Sequence, residues 1–425
     1  MIYTEKEILQ YIEENDVKFI KLTFCDLYGR LKNISILSSE LEGIFEKGVR
    51  IASEKIAGFD IAKGRDIFLF PDPRTMTVLP WRPQQGRVIR MYCFIRYADG
   101  THFEGDSRYF LKKAMKAAIS AGYCFRFGTS CEFTLFTLSE RGLPTKTPHD
   151  YAGYCDTAPD DKGENIRRDV CLTLEQMGIR PISSRHESGW GQHEIDFNTA
   201  SALKAADTFL SFKSAVRSVA DTHGVYASFM PKPLREGSGN AMNISFNIYP
   251  DTDFLEEKEE ECKEITRYGA AGVLKYIQDF TLFTNSTVNS YLRLGRYGAP
   301  SNVSWSDKEG YELVRLSSGE DGFLVTLKIS DCVCNPYIVF GLIIYASLEA
   351  IADKEPLPEK ENSLSALAKN ISEAAQTAQI SEFLKNYIPS EILNKTLEEA
   401  NEQWREYSVA RDKEDFMEKK YFYIF

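Results

Sequence analysis

The chain has 425 residues, 43% of them hydrophobic, and a formal net charge of -11. That length buries a large core and favours two or more domains, while an acidic balance without Lys and Arg clusters excludes a general nucleic-acid binder. No apolar run is read as approaching the roughly 18 residues of a membrane span, and the acidic start "MIYTEKEILQYIEEN" resembles no leader, so a cytoplasmic location without membrane contact is expected.

In chain order, "VKFIKLTFCDLYGRLKNISIL" alternates on either side of Asp26 to Gly29 and predicts two strands and a turn. "GRVIRMYCFIRY" predicts another, so residues 1–99 read as a small β-rich domain closed by the turn at Asp99 and Gly100. A second domain, 100–425, opens with "SRYFLKKAMKAAISAGY", where Phe110, Leu111, Met115, Ala118 and Ile119 recur at helical spacing and Gly122 ends the run. It continues with a strand at "CEFTLFTL", a helix at "DTFLSFKSAVRSVADTHG", a strand at "NAMNISFNIY", strands from Gly322 and an apolar helix at "YIVFGLIIYASLEAIA". From Ser363 the tail is charged and helical. The order is mixed α+β. Nine cysteines, an odd number with no C-x-x-C spacing, predict reduced thiols, Cys332 and Cys334 among them as buried packing.

Carboxylates alternate on two of these segments. In "CEFTLF", Glu132 and Thr134 share the face opposite Phe133 and Leu135; in "QHEIDF", Gln192, Glu194 and Asp196 face away from His193, Ile195 and Phe197. An inward-facing carboxylate needs a partner. Oxygen ligands suit Mg²⁺ or Mn²⁺, so Glu132, Glu187 and Glu194 form a three-carboxylate site if their strands converge; otherwise they are salt-bridged or solvated acids. His186 and His193, each without a second histidine at ligand spacing, read as structural hydrogen-bonding groups. The turn "FMPKPLREGSG" offers backbone N–H groups to an anion, and Ala241, Asn243, Ser245 and Asn247 follow it as a small, uncharged inward face. Arg293 in "NSYLRLGRYGAP" is either a carboxylate clamp or a surface charge.

The ordered series "FPDPRT", "GTSCEFTLF", "RHESGWGQHEI", "HGVYASFMPKP", "GSGNAMNIS", "NSYLRL", "YGAPSNVSW" and "CNPYIVF" resembles glutamine synthetase of the shorter bacterial, type I kind. The resemblance implies a β-grasp-like N-terminal domain, a larger domain whose antiparallel sheet carries the site, and a homo-oligomer of two hexameric rings, a dodecamer. It also implies two metal ions, ATP entering from one end, and phosphorylation of glutamate before ammonia displaces phosphate. Glu132, Glu187 and Glu194 match the ligands of the first ion. Gly237, Arg293 and Lys328 match substrate-binding positions, and Arg315 a nucleotide-binding one.

The second ion's ligands are a Glu, a His and a Glu in that family, and the chain has Ser130, Ala241 and Thr326 there. The family's Y-E-A-P glutamate is Gly298, its ammonium-binding aspartate aligns with Ala52, and a phosphoryl-stabilising arginine aligns with Gly310. A further arginine becomes Lys328, which keeps charge without a bidentate fork. Phosphoryl transfer works by positioning and charge neutralisation, so these losses predict a pseudoenzyme with no catalytic residues for ligation, ATP binding in doubt, and one Mg²⁺ or Mn²⁺ beside a small amino acid or carboxylate. Two other outcomes are an active ligase whose nucleotide site is rebuilt from residues such as Asp307, Glu309 or Glu312, and a structural subunit of a synthetase-like ring.

Overall fold

The computed structural model describes residues 3–82, 85–251, 259–308, 310–319, 322–359 and 365–425. Glu309 and the start of the predicted tail at Ser363 lie outside them.

The chain begins with helix Glu5–Glu14, closed by a capping box in which Thr4 accepts from the Glu7 N–H and the Glu7 carboxylate accepts from the Thr4 N–H. Its buried residues Ile8 and Ile12 join the core of the first sheet. Strands Val17–Cys25 and Leu31–Leu37 form the predicted antiparallel hairpin, and Val17–Cys25 also pairs in parallel with Arg87–Tyr97. Ile67–Pro71 and Val49–Ile51 complete that sheet beyond Arg87–Tyr97.

The hairpin turn reaches out of this domain. Asp26 Oδ1 accepts from the N–H groups of Tyr28 and Arg30, which sets the turn. Gly29 has φ +81°, and a Cβ there would lie 2.9 Å from the Cys334 carbonyl oxygen. Only glycine satisfies both conditions, and Asn335 Nδ2 seals the contact by donating to the Leu27 carbonyl at 3.1 Å.

A second tie is ionic. Arg108, at the start of helix Ser107–Ser120, donates to Asp207 from Nε and Nη2 at 3.1 and 2.9 Å, and to Asp72 of the "FPDPRT" segment at 3.1 Å. Asp207 also accepts from the Tyr337 hydroxyl at 2.6 Å, and Asp72 from Arg74. Arg108, Asp72, Asp207 and Tyr337 are buried, so the three charges depend on their partners for solvation.

The larger sheet is built around one strand, Tyr123–Leu138, longer than the segment read from sequence. On one side it pairs with Met242–Pro250, followed outward by Gly322–Leu327, Val314–Gly319 and Trp305–Ser306. On the other it pairs with Gln192–Phe197 and then Pro181–His186. Most pairings are antiparallel. Phe127, Cys131, Phe133 and Leu135 are fully buried, while Ser130 and Glu132 on the opposite face are only partly so, before Thr134 and Phe136 on that face become buried as well.

Helices Ala202–Thr222, Glu259–Thr284 and Pro336–Asp353 enter the core behind this sheet, and Phe127 stacks on Phe340 with ring centroids 4.5 Å apart. Pro336–Asp353 is the apolar helix read from the sequence. Its window hydropathy of 1.4 is, by composition, enough for a membrane span, but 72% of that window is buried inside the protein. A helix surrounded by protein has no polar face to keep. The tail folds as helices Ile371–Ile380, Glu382–Tyr387 and Ser390–Val409.

Replacing Arg108 with Met leaves Asp72 and Asp207 buried without their shared cation. The expected loss is about 3–5 kcal/mol of unfolding free energy, read from denaturant titrations at neutral pH. Although burial alone raises the Asp72 pKa, the Arg74 hydrogen bond and Arg108 bring it below its ordinary value. Its contribution is therefore complete above the unfolded carboxyl pKa and is lost only as pH falls through the lower folded one.

Candidate carboxylate and ligand site

Three neighbouring strands place one row of side chains on the polar face of the sheet. Glu194 lies directly opposite Glu132 on one side and directly opposite Arg185 on the other. Cross-strand partners share a face, so register brings these groups together.

Glu132 Oε2 accepts from Gln192 Nε2 at 2.9 Å and from the Ala241 N–H at 2.8 Å. Burial pushes Glu132 up to about 7; the Ala241 N–H opposes this and Glu187 adds to it. Glu194 is also raised, by burial first and then by Glu132 and Asp196, against the pull of Arg185. Arg185 donates from Nε to Glu187 at 2.9 Å, from Nη1 to Asp196 at 2.7 Å and from Nη2 to Glu194. One guanidinium faces more carboxylates than it can neutralise. Burial first, and the neighbouring carboxylates second, raise the pKa values of Glu132 and Glu194, and a further cation would favour their charged forms.

Glu132, Glu187 and Glu194 offer carboxylate oxygens, the donor chemistry of a hard divalent ion, although among the described residues their oxygens do not all lie within 4.8 Å of one another. The position of a second ion does not fit one. Ser130 Oγ accepts from Asn243 Nδ2 at 3.1 Å, Thr326 is hydrogen-bonded to Ser245 at 3.0 Å, and Ala241 offers only a methyl group. The face predicted as small and uncharged thus carries two neutral pairs, Asn243 with Ser130 and Ser245 with Thr326, and Ser130 also hydrogen-bonds the Glu194 carboxylate.

Among the described residues, the cluster whose ligand atoms all lie within 4.8 Å of one another is Asp150, His186 and His193. Asp150 and Arg167 were not singled out by sequence reasoning, since neither belongs to an alternating strand pattern. His186 donates from Nε2 to Asp150 at 2.8 Å and from Nδ1 to the Glu187 carbonyl at 2.7 Å. With both nitrogens donating it is an imidazolium, and although burial opposes the charge, Asp150 and the Glu187 carbonyl raise its pKa. Arg167 donates to His193 Nδ1 at 2.9 Å, which leaves the proton on His193 Nε2, a buried atom without a partner. A metal here would have to displace a proton and sit near a guanidinium. The cluster instead braces the backbone of Glu187 and, through Asp150, the N–H of Gly191 at 3.2 Å.

A cavity of about 210 Å³ is lined by Thr134, Ser188, Trp190, Gln192, Gly237 and Tyr297 among others; none of the three glutamates lines it, and Gln192, which donates to Glu132, joins it to the carboxylate row. Drug-sized ligands occupy roughly 300–1,000 Å³, so this volume suits a small amino acid or carboxylate. Gly237 has φ +81°, and its carbonyl accepts from Lys232 Nζ, which lies 4.8 Å from the Tyr297 ring centroid. Burial and then Arg296 push Lys232 down to about 8.

Arg293 is 4% exposed and donates to the carbonyls of Ile329 and Ser330, so it is not a surface charge. Its Nε is buried without a partner. Lys328 donates to the Gly310 carbonyl at 2.7 Å, and Arg315 lies opposite Thr326. Gly298 has φ +89°, and Ala52 is exposed on the first domain. Cys332, fully buried as expected, directs Sγ to the carbonyls of Glu132 and Ala241 at 3.1 Å.

Residues 16–98 match the family model described as "Glutamine synthetase, beta-Grasp domain", and residues 104–419 match "Glutamine synthetase, catalytic domain". The chain is 36% identical over 424 residues to a glutamine synthetase of Clostridium saccharobutylicum, covering 95% of this chain and 96% of that protein. It is 38% identical over 366 residues to one of Staphylococcus aureus, covering 85% and 82%. The fold matches the glutamine synthetase structure of Plasmodium falciparum with a TM-score of 0.86 at 20% identity, over 98% of this chain and 99% of that one. With both family domains matched in order and relatives aligned along almost its whole length, the chain belongs to the glutamine synthetase family.

Proposed function

We propose that this family member binds a small amino acid or carboxylate beside one divalent ion, Mg²⁺ or Mn²⁺, and does not carry out ATP-dependent ligation of glutamate and ammonia. The observation that carries this reading is the neutral pairing of Asn243 with Ser130 and of Ser245 with Thr326. In phosphoryl transfer the metal and cationic side chains neutralise developing charge; hydroxyls and an amide hold no second ion to do so. Gly298 offers no carboxylate to take a proton from ammonium.

The remaining chemistry is recognition. Glu132, Glu187 and Glu194 hold the ion, Gly237 shapes the anion-facing turn, and Arg293 and Lys328 supply positive charge to the ligand carboxylate. Arg315 stands at the nucleotide end. The relatives favour a second reading, an active ligase, since proteins 36% and 38% identical are named glutamine synthetase. On that reading Asp307 and Glu312 take over at the nucleotide end.

We further propose a domain boundary at Asp99 and Gly100, a cytoplasmic location, and assembly into the two hexameric rings that the family resemblance implies. Exposed apolar side chains such as Ile380 and Val409 on the C-terminal helices are consistent with a packed assembly.

Two measurements decide the main reading. Phosphate release from ATP with glutamate, ammonia and Mg²⁺ should stay at background, and it should remain there in Ser130→Glu, because Ala241, Thr326 and Gly298 still lack their groups. Turnover by the unchanged protein establishes the ligase instead. Metal analysis should find one ion per chain, and two ions in the presence of ATP contradict the proposal. Light scattering should give a mass many times the 48.4 kDa of the chain; a monomer rules out the rings.

A further inference from the structure

Arg185 donates to Glu187, Glu194 and Asp196 of the carboxylate row, and its place is dictated by the sheet. Because it faces Glu194 directly across antiparallel strands, its side chain must leave the same face as Glu194 and Glu132. Each of its nitrogens engages a different carboxylate: Nε with Glu187, Nη1 with Asp196, Nη2 with Glu194. One oxygen each of Glu187 and Glu194 that could ligate an ion is therefore already engaged by a positive charge.

A guanidinium cannot make room for a metal by losing its proton, as an imidazole or an amine can. It has to move. The structure offers one place to move to: Arg185 Nη1 also lies 3.3 Å from Ser183 Oγ, and Ser183 Oγ is 2.5 Å from Asp196 Oδ2. Asp196 and Arg185 are 25% and 28% exposed at the side chain, whereas Glu194 is only 4% exposed, so the Ser183 and Asp196 end is the open side of the row.

We propose that Arg185 is a tethered cation that competes with the divalent ion for Glu187 and Glu194, and that it retires onto Asp196 and Ser183 when the ion binds. The inference rests on the reading that the three glutamates take one ion. In the metal-free protein Arg185 holds the row together; in the metal-bound protein the ion does, and Asp196 keeps the displaced charge paired. The row is then a site of weakened and adjustable metal affinity.

The test is Mn²⁺ titration of the full chain by calorimetry, with thermal unfolding recorded at each metal concentration, for the unchanged protein, Arg185→Gln, Arg185→Lys and Asp196→Asn. Arg185→Gln should bind Mn²⁺ at least about tenfold more tightly than the unchanged protein. Its melting temperature should be lower without metal and should recover as Mn²⁺ is added, since binding stabilises the folded state by mass action. Arg185→Lys, which keeps charge and loses the three-way fork, should fall between the two. Asp196→Asn should bind more weakly, because the displaced guanidinium has lost its acceptor.

Equal affinity in all four proteins overturns the competition while leaving a one-ion site in place. Binding by Arg185→Gln with none by the unchanged protein supports the competition and removes the ion from the native function. No binding by any of them overturns both. Should Arg185→Gln fail to fold without metal, the order of Arg185→Lys and Asp196→Asn about the unchanged protein decides, and equal values for those overturn the competition.

Discussion

The register that sets Glu132, Glu194 and Arg185 in one row across three strands is the constraint on which the pocket depends. A one-residue slip of Gln192–Phe197 would send Glu194 into the core and His193 out to the pocket, so the register is defended by every buried residue on the opposite face. Phe133, Ile195 and Leu135, all fully buried, hold that face. The carboxylates are thus concentrated by hydrophobic packing behind them, and their repulsion is a cost the packing overcomes. Arg185 offsets part of it by donating to Glu187, Glu194 and Asp196.

The two halves of the pocket have been treated differently. On the carboxylate side, the supporting bonds are intact: Gln192 reaches Glu132, the Gly239 carbonyl at 3.0 Å and the neighbourhood of Asn240, and Asn240 fixes the Met230 carbonyl at 2.9 Å. On the neighbouring strands, Ser130, Asn243, Ser245 and Thr326 present hydroxyls and an amide, paired as Asn243 with Ser130 and Ser245 with Thr326. A neutral, internally bonded face is stable without a ligand, whereas a face of unpaired carboxylates is not. That asymmetry is the physical content of the proposal that binding outlasted ligation.

The scaffold around the pocket is fastened from outside the site. Arg108 joins Asp72 of the first domain to Asp207 of the helix behind the sheet, and Gly29 lets the hairpin turn sit against Asn335 at the head of the buried helix. Neither contact touches the row of carboxylates. The pocket can therefore change its polar residues without loosening the frame that positions them.

Alternation along "CEFTLF" and "QHEIDF" determined that Glu132 and Glu194 turn away from the core, because a strand's side chains take opposite faces in sequence order. The ordered motifs determined the family, and with it the α+β architecture. The apolar run of Pro336–Asp353 determined a helix, and only packing showed that protein surrounds it. What residues on one strand meet on the next was decided only by tertiary structure: Arg185 looked like the residue before a histidine, and His186 and His193 looked isolated. Strand register turned Arg185 toward Glu194, and packing brought Asp150 and Arg167, 36 and 26 residues away, onto those two histidines. Cross-strand partners and loop closures are set by long-range pairing, which leaves no periodic trace in the chain itself.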